Sequence, residues 1–376
     1  MKYMGSKRAM LDNGLGETII KLARKRTRVV DLFTGSGALA WFAAEQTKRA
    51  VVAVDLQLYA VALARAVVER TNPIDWQVVR DDWHGRATLR VRRLRRAKSA
   101  ATRSETPMTR RGLSEARRLC SSASGGAVWR AYGGYYFSPM QALILDELFA
   151  ALPSGDARSA CLAALIMTAS KCAAAPGHTA QPFGPTEGGL ASISEAWQRD
   201  PLTISGGMLA RIAPQYASVM GRAYVADAVA TAETLGESDL VVIDPPYSSV
   251  QYSRFYHVLE TIAAGHCGPT TGAGRYPAKA RRPRSRFSLI RTSSLEAEQL
   301  LRNLASAGCT VILTFPRARS SNGLTGQDWL DVAGRWFKCE ATLVSGEFST
   351  LGGSIKNGHR APRHASNELI VQMHPR

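Results

Sequence analysis

Four short apolar runs constrain the fold of this chain more than any other feature. Val29-Val30-Asp31-Leu32-Phe33, Ala50 to Asp55, Leu240 to Asp244 and Cys309 to Phe315 are continuous rather than alternating in polarity. Strands covered on both faces read this way, which points to a parallel sheet flanked by helices. The first run leads into Thr34-Gly35-Ser36-Gly37 and then into Ala38 to Gln46, a stretch of good helix formers. The second run ends at Asp55, and Ala60 to Glu69 predicts the next helix. A βαβ unit therefore opens an α/β fold.

The sheet pattern then stops for more than 100 residues and resumes near Tyr224. The interval holds an Arg-rich segment, an aromatic cluster (Tyr132, Tyr135, Tyr136, Phe137) that suits packing against the following helix, and two predicted helices over Pro139–Leu152 and Asp156–Ala174. A Gly/Pro-rich loop follows from Pro176 to Gly189. A length of 376 residues, at about 150 per domain, fits two domains or one domain with an insertion. We expect a discontinuous domain over 1–80 and 222–376, interrupted by a mainly helical region over 81–221. Glu340–Phe348 and Asn367–Met373 predict a closing antiparallel hairpin around a basic, Gly-rich loop at 352–364.

Charge narrows the partners. The formal net charge is +18. From Arg86 to Arg118 there are 12 basic and 2 acidic residues, and from Arg275 to Arg291 there are 7 basic and none acidic. These two segments carry 17 of the 18 excess charges, so the rest of the chain is close to neutral. Concentrated basic segments on a near-neutral body suit a polyanion such as nucleic acid.

Two loops carry the chemistry. Asp31 to Gly37 ends a strand and opens a helix, where an α/β sheet accepts a nucleotide-like ligand. Gly35 and Gly37 let backbone N–H groups approach closely, and Asp55, ending the next strand, can accept ribose hydroxyls. This loop alone suits NAD as well as S-adenosylmethionine. The second loop, Asp244-Pro245-Pro246-Tyr247, follows the third apolar run. Consecutive prolines fix φ and remove two donors. Asp244 and the Pro245 carbonyl are then two acceptors beside the flat face of Tyr247. Two acceptors and a π-surface are what an exocyclic aromatic amine needs if its lone pair is to be aimed at an electrophile.

With Lys2-Tyr3-Met4-Gly5-Ser6-Lys7 at the start of the chain, then the Asp31–Gly37 loop, a long insertion and Asp244–Tyr247, the sequence resembles the Dam-type DNA adenine-N6 methyltransferases. The resemblance implies a Rossmann-like, S-adenosylmethionine-dependent sheet whose inserted region reads the target. It implies double-stranded DNA as partner and a flipped-out adenine as the methyl acceptor. It places Asp244, Pro245, Pro246 and Tyr247 at the reacting amine, and Tyr3, Lys7, Asp31, Gly35, Gly37, Asp55 and Asp227 around the cofactor. Lys7 would lie near the methionine carboxylate, Asp55 on the ribose and Asp227 on the cofactor's adenine amine. Where that family has an aromatic after the last acid, this chain has Ala228. A cognate restriction or defence partner is compatible with such an enzyme and is not encoded in any motif here.

Other classes fit less well. Cytosine-C5 methylation needs an attacking cysteine, conventionally after proline, and the chain has no Pro-Cys pair. N4-cytosine enzymes and rRNA base-amine enzymes share the amine chemistry and stand as alternatives. A nicotinamide dehydrogenase leaves the proline turn unexplained. The six cysteines form no CxxC pair and the seven histidines show no ligand spacing, so no metal site is expected. His257 reads as a packing histidine. No apolar run of about 18 residues offers a membrane span, and Met1 to Met10 lacks an apolar signal core, so a cytoplasmic protein is expected.

Overall fold

The computed structural model describes residues 7–103, 108–122, 125–348 and 364–376. The chain divides into two compact units. Among the described residues, one comprises 7–72, Gln215–Tyr252 and Pro283–Arg376; the other comprises Pro73–Pro214 and Ser253–Arg282.

The first unit is built on a seven-stranded sheet. Its strands are β1 (Arg28–Asp31), β2 (Ala50–Asp55), β3 (Arg222–Val225), β4 (Asp239–Ile243), β5 (Thr310–Pro316), β6 (Phe337–Phe348) and β7 (His364–Pro375). They lie in the order β3-β2-β1-β4-β5-β7-β6. The first five are parallel, with Val30 opposite Val52 and Val241, and Val242 opposite Ile312. β7 runs antiparallel to both neighbours, pairing Leu313 with Val371 and Ala341 with Val371. This mixed sheet with its flanking helices is a Rossmann-like methyltransferase fold.

The continuous apolar runs are explained by burial on both sides. Val29, Val30, Val241, Val242, Val311 and Ile312 are all inaccessible to solvent. Leu300, Leu301 and Leu304 of the helix Ser293–Ser306 and Trp329 of the helix Gly326–Ala333 pack with Val241, Val311 and Phe337 in one core cluster. Each such side chain contributes about 1.5–3 kcal/mol when fully buried. At the opposite edge from the site, Arg28 grips Asp239 with two bonds of 2.7 and 2.8 Å, tying β1 to β4.

The second unit is mainly helical. Its longer helices are Trp76–Arg93, Arg110–Ser122, Pro139–Ala150, Asp156–Cys172, Glu187–Trp197 and Pro201–Ile212. Local sequence sets their starts. Asp75 accepts from Gln77 and Val78 N–H, Ser138 and Gln141 form a reciprocal capping box, and Asp200 caps Leu202 and Thr203. The unit also takes in the helix His257–Ala264 and a two-stranded ribbon, Thr270–Thr271 with Tyr276–Pro277. Within the aromatic cluster, Tyr132, Tyr136 and Phe137 are fully buried, whereas Tyr135 is half-buried. His257 is a core histidine, its ring nitrogens 3.1 and 2.9 Å from the carbonyls of Arg254 and Gly274, and burial pushes it down to about 4.

The basic segment at 86–118 is largely helical, divided among Trp76–Arg93, Arg95–Arg103 and Arg110–Ser122. The loop expected at 352–364 falls almost wholly outside the described residues. All six cysteines are free thiols. Among the described residues no helix is long and apolar enough to cross a membrane, and no cluster of side chains suits a metal ion.

Candidate active site

Because β1 to β5 are parallel, the residues just beyond their C-termini gather on one edge of the sheet. The strand order turns back between β1 and β4, the position where open α/β sheets form a crevice. The glycine loop follows β1 and the proline turn follows β4, so the two motifs meet at this point.

The glycine loop needs its glycines. Gly35 and Gly37 have φ of 49° and 76°, the left-handed region that favours glycine. Gly37 also caps the helix Ala38–Gln46, and a Cβ there would stand 3.2 Å from Trp41 Nε1 and 3.5 Å from the Ala64 amide. Two carboxylates brace the loop from within. Asp31, fully buried, accepts from the Thr34 hydroxyl at 2.8 Å and the Phe33 amide at 3.3 Å. Asp55 accepts from the Gly35 amide and the Gln57 amide, each at 2.9 Å. Burial pushes Asp31 up to about 7 and Asp55 up to about 6, against the pull of these donors. Every carboxylate oxygen has further acceptor capacity, so Asp55 can hold the loop and still receive a ligand hydroxyl.

Asp227 lies two residues past β3, level with the end of β2, where the Ala226 amide donates to the Asp55 carbonyl at 3.1 Å. It is exposed and caps the helix Ala228–Ala232, taking the Val229 and Ala230 amides on Oδ1 at 2.9 and 3.2 Å.

Asp244 is the centre of a buried charge cluster. Its Oδ1 lies 3.0 Å from the Lys7 ammonium and accepts from the Thr314 hydroxyl at 2.9 Å. Lys7 also donates to Glu368 Oε2 at 2.6 Å. Burial pushes Asp244 up to about 6, with Lys7 pulling it down and Glu368 pushing it up. Burial alone would favour the neutral Lys7 amine, but the two carboxylates hold its proton more tightly than usual. An ammonium has three donors, and these two carboxylates occupy two.

The rest of the turn is fixed by Asn322, which is inaccessible to solvent. Its Nδ2 donates to the carbonyls of Pro246 (2.8 Å) and Phe287 (3.1 Å), and its backbone amide reaches the Tyr247 carbonyl (3.3 Å). Asp244 uses Oδ1 for both Lys7 and Thr314, which leaves acceptor capacity on its carboxylate. Tyr247 is half-buried against the core cluster, its hydroxyl engaged by Tyr252. Burial pushes that hydroxyl up to about 12, so the ring stays neutral.

Lys7, Asp31, Gly35, Gly37, Asp55 and Asp227 are thus placed with Asp244 to Tyr247 on one sheet edge. Tyr3, expected beside the cofactor, lies outside the described residues. Thr314, Asn322 and Glu368 were not expected. Thr314 sits inside an apolar run and Glu368 inside a hairpin strand, and only the register that sets Ile243 against Leu313 and Pro316 against Glu368 brings them to Asp244.

No curated protein matches the chain. Residues 3–90, the stretch holding Lys7, the glycine loop and Asp55, match the family model described as D12 class N6 adenine-specific DNA methyltransferase, and this match supports the Dam-type adenine methyltransferase family to which the motifs point.

Proposed function

We propose that the protein transfers a methyl group from S-adenosylmethionine to the N6 amine of an adenine flipped out of duplex DNA. The observation that carries this reading is the turn Asp244–Tyr247, held by Lys7, Thr314 and Asn322 and following the strand next to the one that leads into the left-handed glycine loop. The donor set suits the cofactor: two glycines permit close approach, Asp55 retains acceptor capacity for ribose hydroxyls, Asp227 Oδ2 can take an adenine amine, and Lys7 has one donor left for a carboxylate. When bound, the cofactor supplies a methyl group whose bond to sulfur breaks as the bond to nitrogen forms.

The chain's own residues do the rest. Asp244 and the Pro245 carbonyl hold the two amine protons, turning the nitrogen lone pair out of conjugation with the base. Above about pH 6 Asp244 is ionised and accepts the proton released on methylation. Tyr247 gives the extruded base a stacking face, and such stacking is worth about 1–3 kcal/mol, comparable with the few kcal/mol that flipping costs. Asn322 and the two prolines keep the acceptors in place, so positioning dominates the rate. We assign target recognition to the helical unit and bulk DNA affinity to the basic segments.

The test is incubation with plasmid DNA and tritiated S-adenosylmethionine, followed by mapping of modified bases. Label on adenine N6 is expected; label only on cytosine or only on RNA would replace this reading. Asp244→Ala should lower turnover about 10²–10³-fold, the scale for losing one aimed polar partner, and wild-type turnover would remove Asp244 from its role.

A further inference from the structure

Two aromatic residues of the helical unit each carry a pair of arginines. The Arg117 and Arg275 guanidinium carbons lie 4.4 and 4.7 Å from the Tyr135 ring centre. Those of Arg254 and Arg282 lie 5.0 and 5.4 Å from the Tyr276 ring centre. Arg117 comes from the first basic segment, while Arg275 and Arg282 come from the second, so the two segments meet on Tyr135.

Three of the four guanidiniums are tethered by hydrogen bonds. Arg117 Nε donates to the Gly134 carbonyl at 3.1 Å, Arg275 Nε and Nη2 to Ala131 and Arg130 carbonyls at 2.9 and 3.2 Å, and Arg254 Nε to the Tyr276 hydroxyl at 3.2 Å. The Arg282 Nε is buried and takes no acceptor among the described residues. Arg275 sits at φ 52°, a left-handed conformation that is costly for a non-glycine residue. Strain of this kind persists where surrounding contacts impose it, often at functional positions.

No carboxylate neutralises these four side chains among the described residues. Elsewhere in the same unit carboxylates do so: Arg80 pairs with Asp81, Arg86 with Asp82, Arg90 with Glu147, Arg111 with Glu115 and Arg199 with Glu195. Partial burial and the charge of Arg275 both make the Arg117 guanidinium harder to keep protonated. Paired arginines that repel one another and lack carboxylate partners are matched by an anion with paired oxygens.

We propose that the stacks Arg117–Tyr135–Arg275 and Arg254–Tyr276–Arg282 form a phosphodiester-binding ridge that grips the backbone of the duplex. This deepens the reading of the enzyme as a DNA methyltransferase and rests on it. The carboxylate-paired arginines of the unit are not part of the ridge. Because guanidiniums occupy Tyr135 and Tyr276, these rings brace cations and do not stack on bases.

Two measurements test the ridge. First, phenylglyoxal modification of the wild-type full chain, read by mass spectrometry, is compared with and without a short duplex. DNA should protect Arg117, Arg254, Arg275 and Arg282 but leave Arg80, Arg86 and Arg90 as reactive as before. Second, duplex affinity is followed against salt for Arg117→Gln/Arg275→Gln and for Arg117→Lys/Arg275→Lys. Each lost phosphate contact flattens the log–log slope by about 0.9. The wild-type advantage over the glutamine variant should therefore shrink about twelve-fold as salt rises four-fold. The lysine variant should keep the wild-type slope.

Equal modification with and without DNA overturns the proposal whatever the variants do, as does an unchanged slope in a folded glutamine variant. Protection by duplex RNA but not by duplex DNA also overturns it. The two readings fail separately: adenine labelling without arginine protection sinks the ridge alone, and protection without adenine labelling sinks the methylation reading alone.

Discussion

Asn322→Ala is the sharpest probe of how the proline turn is held. Asn322 is inaccessible to solvent and uses its whole amide, donating to Pro246 (2.8 Å) and Phe287 (3.1 Å) and accepting from the Leu324 amide (3.2 Å). Truncation leaves two carbonyls and one N–H without their partner. Leu324 and Phe287 are buried, so water does not readily replace the lost bonds there, whereas Pro246 is half-buried and can be rehydrated. An unsatisfied buried group costs about 1–3 kcal/mol, so two of them should cost about 3 kcal/mol. The same loss frees the turn to move, and a misplacement of about 1 Å can cost about 10²-fold in rate. We expect urea denaturation to show the stability loss, and single-turnover methylation to be about 10²-fold slower with donor affinity unchanged. Asn322→Asp should be worse, since a carboxylate would face both carbonyls. Wild-type stability and turnover in Asn322→Ala would refute the reasoning and leave the prolines alone responsible for the turn.

Other expectations concern charge. Lys7 lowers and Glu368 raises the carboxyl of Asp244, so Lys7→Gln should move the acid limb of the methylation pH profile upward from about 6 and Glu368→Gln should move it downward; shifts in the same direction would break the triad. Asp31 is raised in the folded protein to about 7, well above its unfolded value, so its contribution to stability is fully present below about pH 4 and lost as pH rises through about 7. Asp31→Asn should therefore stabilise the protein in urea titrations at pH 8 and not at pH 4, and an equal effect at both would show that its ionisation carries no cost.

Much of the fold was legible because burial on both faces writes itself as continuous apolar runs, and all four runs are strands of the sheet. The strand Arg222–Val225 was visible only as a resumption near Tyr224, since three of its four residues are exposed and leave no apolar run. The hairpin was legible, but the insertion of β7 between β5 and β6 was not, because strand order is a property of pairing between distant segments. At the site, glycines and prolines announce themselves by backbone demands that few other residues meet. Asn322 makes no such demand: it is one polar residue in a loop, and its importance comes from three partners it meets only in the folded chain. The same holds for Arg117 and Arg275, whose runs were plain as charge but whose meeting on Tyr135 was not.

The carboxylates on the sheet edge also bear on how the donor binds. Asp31, Asp55 and Asp244 are raised to about 7, 6 and 6, chiefly by burial, while among the described residues Lys7 is the cation paired with Asp244. An arriving sulfonium brings a positive charge that favours their ionised forms, so binding should release protons between about pH 5 and 7. Under the proposed function S-adenosylhomocysteine would make the same ribose and adenine contacts but lacks that charge. Affinity for S-adenosylmethionine should thus fall as pH drops below 7, by up to about tenfold per pH unit for each carboxylate that must ionise, while affinity for S-adenosylhomocysteine should change much less. Calorimetry in two buffers of different ionisation enthalpy reads the released protons directly. If both ligands lose affinity in parallel, the pH dependence belongs to shared contacts such as Asp55 with the ribose, and the carboxylate cluster has no electrostatic role in selecting a charged donor.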